Sequence, residues 1–280
     1  MSDKYIYDFI KYALAEDIGD GDHSSLACIP KKKKGKSQLI IKDDGVLAGI
    51  DIGQKIFQAI DSKTNLDVKI IDGQAIKKGD IALIVEGKIQ SLLMAERIVL
   101  NVMQRMSGIA TSTNQYAEKI KDLKTQILDT RKTTPGFRYF EKKAVELGGG
   151  VNHRMGLYDM IMLKDNHIDF AGGVEKAIRK VHKYLQKNQK MLKIEVEARS
   201  LDEVKEIIGV GGVDRIMLDN FSLEETREAV KLINGQFETE SSGGITHETI
   251  RDYAKCGVDF VSVGALTHQI KSLDMSLKAI

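Results

Sequence analysis

Leu192-Lys193-Ile194-Glu195-Val196-Glu197, Arg215-Ile216-Met217-Leu218-Asp219, Gln236-Phe237-Glu238-Thr239-Glu240 and Asp259-Phe260-Val261-Ser262 decide the fold. Each is a short apolar run that ends in a polar or charged residue, and helical patterns at 201–208, 223–233 and 250–255 separate them. Strand alternating with helix predicts βα units around a parallel sheet. The strand ends at 197, 219, 240 and 262 are 22, 21 and 22 residues apart, about the shortest right-handed crossover that closes. Regular, minimal units of this kind predict a barrel.

Further toward the N-terminus, strands are expected at 126–129 and 160–164 and a helix at 174–185, with one more short strand near 151–153. That makes roughly seven strands, one fewer than a full βα barrel. No repeated sequence motif accompanies the period. The first hundred or so residues read differently, as a small α+β unit. Tyr5, Phe9, Ile10, Ala13 and Leu14 recur at helical spacing until the glycines and acids of 16–22 break the pattern. Strands are predicted at 39–42, 68–71 and 81–86 and a helix at 52–60. A longer helix with Leu92, Ile98, Val99, Val102, Met103 and Met106 on one face is predicted from an N-cap at Ser91 to Gly108.

Composition limits the function classes. With 29% charged and 42% hydrophobic residues, 25 Gly and 2 Pro in 280 residues, the chain is neither a disordered nor a collagen-like protein. Its 42 Lys plus Arg against 40 Asp plus Glu leave a net charge of +2, which argues against a nucleic-acid partner. Lys31 to Lys34 form the one like-charge run and read as a solvated loop. No apolar run is long enough to span a membrane, the N-terminus lacks a signal-peptide pattern, and Cys28 and Cys256 stand far apart. The expected location is cytoplasmic, with no membrane partner.

In a βα barrel, side chains just beyond the C-terminal strand ends converge on one mouth. Those residues are Asp129, Arg131, Lys132, His153, Arg154 and Lys164, then Glu195, Glu197, Asp219, Ser241, Ser242 and Gly264. Cations lead and acids with small residues follow. Positions 129–164 hold seven Lys or Arg against four Asp or Glu, a net +3, which suits a multiply anionic ligand gripped by guanidinium forks and Lys. Ser241-Ser242-Gly243-Gly244 and Val263-Gly264-Ala265 follow the last two strands, where glycines let backbone N–H groups approach a phosphate; tight βα turns would look the same. Glu197 and Asp219 suit Mg²⁺ or ribose hydroxyls. His153 beside Arg154 reads as a binding corner without a metal, because no second ligand stands at suitable spacing. Arg97 and Arg105 read by themselves as the solvated edge of an amphipathic helix.

A set of longer motifs resembles the quinolinate phosphoribosyltransferase family, also called nicotinate-nucleotide pyrophosphorylase (carboxylating). They are Ala15-Glu16-Asp17-Ile18-Gly19, Arg105-Met106-Ser107-Gly108-Ile109-Ala110-Thr111, Asp129-Thr130-Arg131-Lys132-Thr133-Thr134-Pro135-Gly136, Gly148-Gly149-Gly150-Val151-Asn152-His153-Arg154-Met155-Gly156-Leu157, Leu163-Lys164-Asp165-Asn166-His167, Met217-Leu218-Asp219-Asn220, Ser242-Gly243-Gly244-Ile245 and Val263-Gly264-Ala265-Leu266-Thr267-His268. They run in order from about residue 13 to the C-terminus.

The resemblance implies an α/β fold: an N-terminal α/β sandwich domain over 1–110 and an open seven-stranded βα barrel over 111–266, with 267–280 packing back on the first domain. It implies transfer of a phosphoribosyl group from phosphoribosyl pyrophosphate to quinolinate with Mg²⁺, giving nicotinate mononucleotide, pyrophosphate and CO₂ in NAD biosynthesis. It further implies a homo-oligomer, at least a dimer, with a shared site. Arg131, His153, Arg154 and Lys164 would line the quinolinate pocket, with Thr130 beside them and Arg105 arriving from the partner subunit. Lys132 and Lys164 would face the pyrophosphate. Glu197 and Asp219 would face ribose and Mg²⁺, the latter held largely through the substrate's pyrophosphate. Ser242, Gly243, Gly244, Val263, Gly264 and Ala265 would hold the 5′-phosphate, near His268. Lys132, Lys164, Glu197 and Asp219 would be the catalytic set.

Departures from the family pattern are Phe137, Lys143 and Ala198-Arg199, of which Arg199 would alter the field near Glu197. Two rivals are weighed. A molybdenum-transport-associated relative of the same fold is disfavoured by Lys164-Asp165-Asn166-His167. A non-catalytic phosphate-binding module would have the glycine loops without the cation cluster and Glu197, and both halves are present here.

Overall fold

A computed structural model describes residues 2–280, which form two compact units. The first comprises the chain up to Asn114 together with Thr134–Gly149 and Gln269–Ile280; the second comprises Gln115–Thr133 and Gly150–His268. The division between these units falls inside one continuous helix, Ile89–Ile120. Helix Arg138–Leu147 groups with the first unit although it lies within the stretch assigned to the barrel. Its buried Phe140 explains the grouping, since that ring stacks with Phe9 and Phe137 of the same unit, centroids 4.6 and 4.7 Å away.

In the first unit, strands Met275–Ala279, Lys34–Ile41, Ile81–Lys88 and Asn65–Val68 make a four-stranded antiparallel sheet in that order. Leu39, Ile41, Leu83 and Val85 are buried on it. The last strand registers Leu277 opposite Leu39. Helix Ile50–Ile60 buries Ile52, Ile56 and Phe57, and the Asp72 carboxylate accepts the Ile50 and Asp51 N–H groups at 2.9 and 3.3 Å in place of a side-chain N-cap.

Several expectations shift. The strand predicted at 68–71 is Asn65–Val68. The long helix starts at Ile89, so Ser91 lies inside it, and it does not stop at Gly108. A Cβ at Gly108 would strike the Lys271 carbonyl, so this glycine serves a close backbone approach. Other pieces of this unit escaped the sequence reading: helix His23–Cys28, the bridge-like pair Gly45–Val46 with Ala75–Ile76, helix Arg138–Leu147 and strand Met275–Ala279.

The second unit is a parallel sheet of six strands in the order Gln126–Leu128, Phe260–Ser262, Glu238–Ser242, Arg215–Asp219, Ile194–Ala198, Ile161–Leu163. The seventh strand expected near 151–153 is reduced to one bridge, Val151 with Leu128. Two edges remain, as an open barrel requires. Helices Leu201–Val210 and Leu223–Ile233 start from Ser200 and Ser222, whose hydroxyls accept the N–H groups of Glu203 and Glu225. Ser222 and Glu225 complete a capping box. Helix Asp165–Ala171 was not predicted.

Parallel register sorts the polar residues into rows. Glu195, Arg215 and Glu238 lie level, then Glu197, Met217 and Glu240, then Asp219 and Ser242. Alternate residues of the strands share a face, and the intervening Ile194, Val196, Ile216 and Leu218 are buried on the other.

Candidate active site

Arg131 follows strand Gln126–Leu128, and Arg154 follows the Val151 bridge. Burial and the like charge of Arg131 hold the Arg154 pKa below the usual guanidinium value. Arg154 Nη1 donates to the Met160 carbonyl at 3.2 Å. Arg131 Nε is a buried donor with no acceptor among the described residues, and a buried unpaired donor is expensive unless a ligand supplies the acceptor. Two adjacent, partly desolvated guanidinium groups fit a ligand with two negative groups.

His153, next to Arg154 in the chain, is buried. Its main-chain N–H donates to Asp129 Oδ1 at 2.8 Å, and its Nδ1 accepts the Arg154 main-chain N–H at 2.7 Å. The ring hydrogen therefore belongs on Nε2, which faces Glu195 Oε2 at 2.9 Å and Glu240 Oε2 at 3.4 Å. Burial opposes a second ring proton and the two carboxylates favour it, raising the His153 pKa, but an Nδ1 that accepts the Arg154 N–H cannot carry that proton, so in this geometry the ring is neutral. Burial and the neighbouring Glu240 charge push Glu195 up to about 7. Glu240, fully buried, is held below its ordinary value because His153 and Arg215 outweigh its desolvation. Arg215 Nη1 reaches Glu240 Oε2 at 3.0 Å. Glu195 is thus part of the barrel interior, whereas the sequence suggested the mouth.

Beyond strand Ile161–Leu163, Lys164 opens helix Asp165–Ala171, and its main-chain N–H donates to His167 Nδ1 at 3.0 Å. Its Nζ lies 2.5 Å from Glu197 Oε2. The Arg199 guanidinium is bound by Glu203 at 2.6 Å and Asp169 at 3.1 Å. Asp219 ends its strand opposite Ser242 and accepts Asn220 Nδ2 at 2.8 Å.

Ser241 and Ser242 belong to strand Glu238–Ser242, not to the loop after it. Gly243 and Gly244 follow with φ of +101° and +59°, a backbone that L side chains rarely adopt. A Cβ at Gly243 would overlap Asn220 Oδ1. At the neighbouring loop, a Cβ on Gly264 would meet Lys132 Cδ at 3.0 Å and His268 Nε2 at 3.1 Å, so a cation and an imidazole flank this glycine. Thr267 Oγ1 donates to the Lys132 carbonyl at 2.8 Å, and the Lys132 N–H donates to Thr130 Oγ1 at 3.0 Å. Val263 and Ala265 complete the loop, the former with its N–H on the Leu128 carbonyl at 3.0 Å.

Arg105 belongs to the first unit. Its Nε and Nη2 donate to Glu141 Oε1 at 3.1 and 2.8 Å, and with Phe9, Arg97, Asn101 and Phe137 it lines a cavity of about 630 Å³. The +3 stretch divides in the same way: Arg138, Lys142 and Lys143 sit on helix Arg138–Leu147 of the first unit, leaving Arg131, Lys132, Arg154 and Lys164 in the second. Glu240, Arg215 and Asn220 were missed as site-supporting residues. Charged residues at alternate positions of fully buried strands, as in Ile194–Ala198, were the available signal.

Comparison with known proteins identifies the family. The N-terminal domain model of quinolinate phosphoribosyl transferase matches residues 22–107, and the C-terminal domain model matches residues 109–278. The chain is 45% identical over 284 residues to quinolinate phosphoribosyltransferase [decarboxylating] 1 of Nicotiana glauca, covering 96% of this chain and 81% of that one. It is 40% identical over 268 residues to the probable nicotinate-nucleotide pyrophosphorylase [carboxylating] of Bacillus subtilis (strain 168), covering 96% and 91%. The crystal structure of NadC from Streptococcus pyogenes superposes with a TM-score of 0.94 at 41% identity, covering 100% of this chain and 99% of that one. Two domain models in tandem, and relatives of this identity along nearly the whole length, place the chain in the quinolinate phosphoribosyltransferase family.

Proposed function

We propose that the protein transfers the phosphoribosyl group of phosphoribosyl pyrophosphate to quinolinate and releases pyrophosphate and CO₂, forming nicotinate mononucleotide for NAD biosynthesis. The observation that carries this reading is the Arg131/Arg154 pair: a buried unpaired donor on Arg131 and an Arg154 guanidinium whose pKa is lowered by burial and then by the like charge of Arg131. Quinolinate has two adjacent carboxylates, and a monocarboxylate would leave one cation uncompensated. His153 forms the floor of this pocket, and Lys164 and Thr130 flank it.

The ring nitrogen attacks C1 of the ribose as the bond to pyrophosphate breaks and its electron pair leaves with the pyrophosphate. Positive charge builds at C1, where Glu197 and Asp219 stabilise it, while Lys132 and Lys164 neutralise the departing oxygens. The positive nitrogen of the new pyridinium then stabilises the electron pair left on C2 when the 2-carboxylate departs as CO₂, and that pair takes a proton from solvent. Positive-φ amides at Gly243 and Gly244, with Ser242 and the Val263-Gly264-Ala265 loop, hold the 5′-phosphate beside His268.

Mg²⁺ fits Glu197 and Asp219 by the hardness of their carboxylate oxygens. One oxygen of Glu197 is occupied by Lys164. Among the described residues the one cluster of three suitable ligand atoms is His153, Glu195 and Glu240, so the ion would be held mostly by the substrate's pyrophosphate. When bound it would neutralise the leaving group.

The working form is a homo-oligomer, at least a dimer, in which Arg105 serves the partner's pocket. The protein is read as cytoplasmic, and its two free cysteines, one of them exposed, fit a reducing compartment; among the described residues no helix is long and apolar enough to cross a membrane. The test is turnover: purified protein with Mg²⁺ and phosphoribosyl pyrophosphate should release CO₂ from quinolinate and form nicotinate mononucleotide. No turnover, or faster turnover of nicotinate, would overturn the assignment.

A further inference from the structure

A line of charges crosses the interior of the second unit. Lys193 Nζ stands 3.9 Å from Glu238 Oε1 at its lower end. Arg215 reaches Glu238 Oε2 through Nε and Nη2 at 3.2 and 2.9 Å and Glu240 Oε2 through Nη1 at 3.0 Å, and its guanidinium lies over the Phe260 ring at 3.9 Å. Glu240 and Glu195 then face His153 Nε2. At the upper end His153 Nδ1 accepts the Arg154 main-chain N–H.

Apolar side chains are the usual filling of such an interior. Replacing buried ion pairs with well-packed apolar residues is often neutral or stabilising, so stability alone does not explain this filling. The His153, Glu195 and Glu240 ligand atoms lie within 4.8 Å of one another, but the guanidinium on Glu240 already supplies the positive charge that a metal ion would bring.

The upper end indicates another use. Arg154 and Arg131 repel one another, and Arg154 lies four residues after the Gly148-Gly149-Gly150 turn, a backbone free to relax. An anchor is needed to keep the two cations together. Arg215 is fixed from three sides, by Glu238, Glu240 and Phe260, and it fixes Glu240 in turn. The carboxylates turn Nε2 of His153 inward, and that leaves Nδ1 outward for the Arg154 amide. A flipped ring would present C–H groups to both.

We propose that Glu240 and Arg215 are positioning residues for dianion recognition, acting through the His153 ring to hold Arg154 beside Arg131 so that the pair is preset for two carboxylates. This rests on quinolinate as substrate. The test is steady-state kinetics with each substrate varied in turn, alongside thermal melting, for the wild type, E240Q, R215K and the double variant E240Q/R215M.

E240Q raises KM for quinolinate about tenfold, as loss of one charge-assisted contact does, and leaves KM for phosphoribosyl pyrophosphate within about twofold. The double variant removes the stranded guanidinium and recovers the melting temperature, but not the quinolinate KM. R215K keeps the charge and loses the fork; it disturbs the fold least and raises the quinolinate KM about threefold, so it decides the matter if the others do not fold. Equal changes in both KM values, a normal quinolinate KM in R215K, or its return to normal in the double variant would overturn the proposal. Failure of the wild type itself to turn over quinolinate would instead overturn the substrate assignment.

Discussion

Lys164 Nζ lies 2.5 Å from Glu197 Oε2, and this contact joins the ends of two neighbouring parallel strands. Glu197 is nearly buried while Lys164 remains half open to solvent. The carboxylate therefore fixes the ammonium at the mouth without enclosing it. Both K164A and E197Q should lower kcat by about 10²-fold or more, the range for removing one preorganised transition-state contact. Because the two groups share one contact, the double substitution should fall well short of the product of the single losses. A fully multiplicative loss in a double-mutant cycle would show that they act separately.

Arg105 and Lys132 should complement across subunits. R105A and K132A proteins, each inactive alone, should regain part of the wild-type activity when mixed and allowed to exchange, since one hybrid site is then intact. R105A should also melt lower, by about 1–3 kcal/mol of stability, because among the described residues buried Glu141 would keep Thr134 as its donor, through its N–H and hydroxyl. Absence of complementation with intact exchange would place Arg105 in its own chain's site.

Gly243→Ala should fail for two reasons. Its φ of +101° is strained for alanine, at about 1–3 kcal/mol, and the new Cβ would overlap Asn220. KM for phosphoribosyl pyrophosphate should rise while the quinolinate KM changes little. An alanine variant with normal kinetics and melting would exclude this loop from phosphate binding.

Chelation should separate activity from folding. With no third ligand beside Glu197 and Asp219 among the described residues, EDTA should abolish turnover and leave the melting temperature unchanged. A marked drop in melting temperature would indicate a metal held by the protein alone.

Much of this architecture was legible in the sequence, for a physical reason. The strands of the second unit are short apolar runs between amphipathic helices, and strand Arg215–Asp219 and helices Leu223–Ile233 and Ile250–Lys255 fall where periodicity put them. Strand Glu238–Ser242 was misplaced by two residues because its buried end is Ser241, a polar residue that hydropathy assigns to a loop. Gly108 was read as a helix stop because chain order hides the Lys271 carbonyl that excludes a side chain there. The mouth residues could be enumerated from strand ends alone. The supporting line through Arg215 and Glu240 could not, since it depends on register between strands far apart in sequence.

Strand Met275–Ala279 pairs with Lys34–Ile41 across the widest sequence separation of the first sheet. On a ribosome, Lys34–Ile41 emerges long before its outer neighbour has been made. Until then it presents an open row of backbone donors and acceptors, the kind of edge on which nascent chains aggregate. Synthesis thus leaves the first unit waiting for residues 275–279, and a chain that stopped short of them would keep a sticky sheet edge even though every barrel strand had been completed.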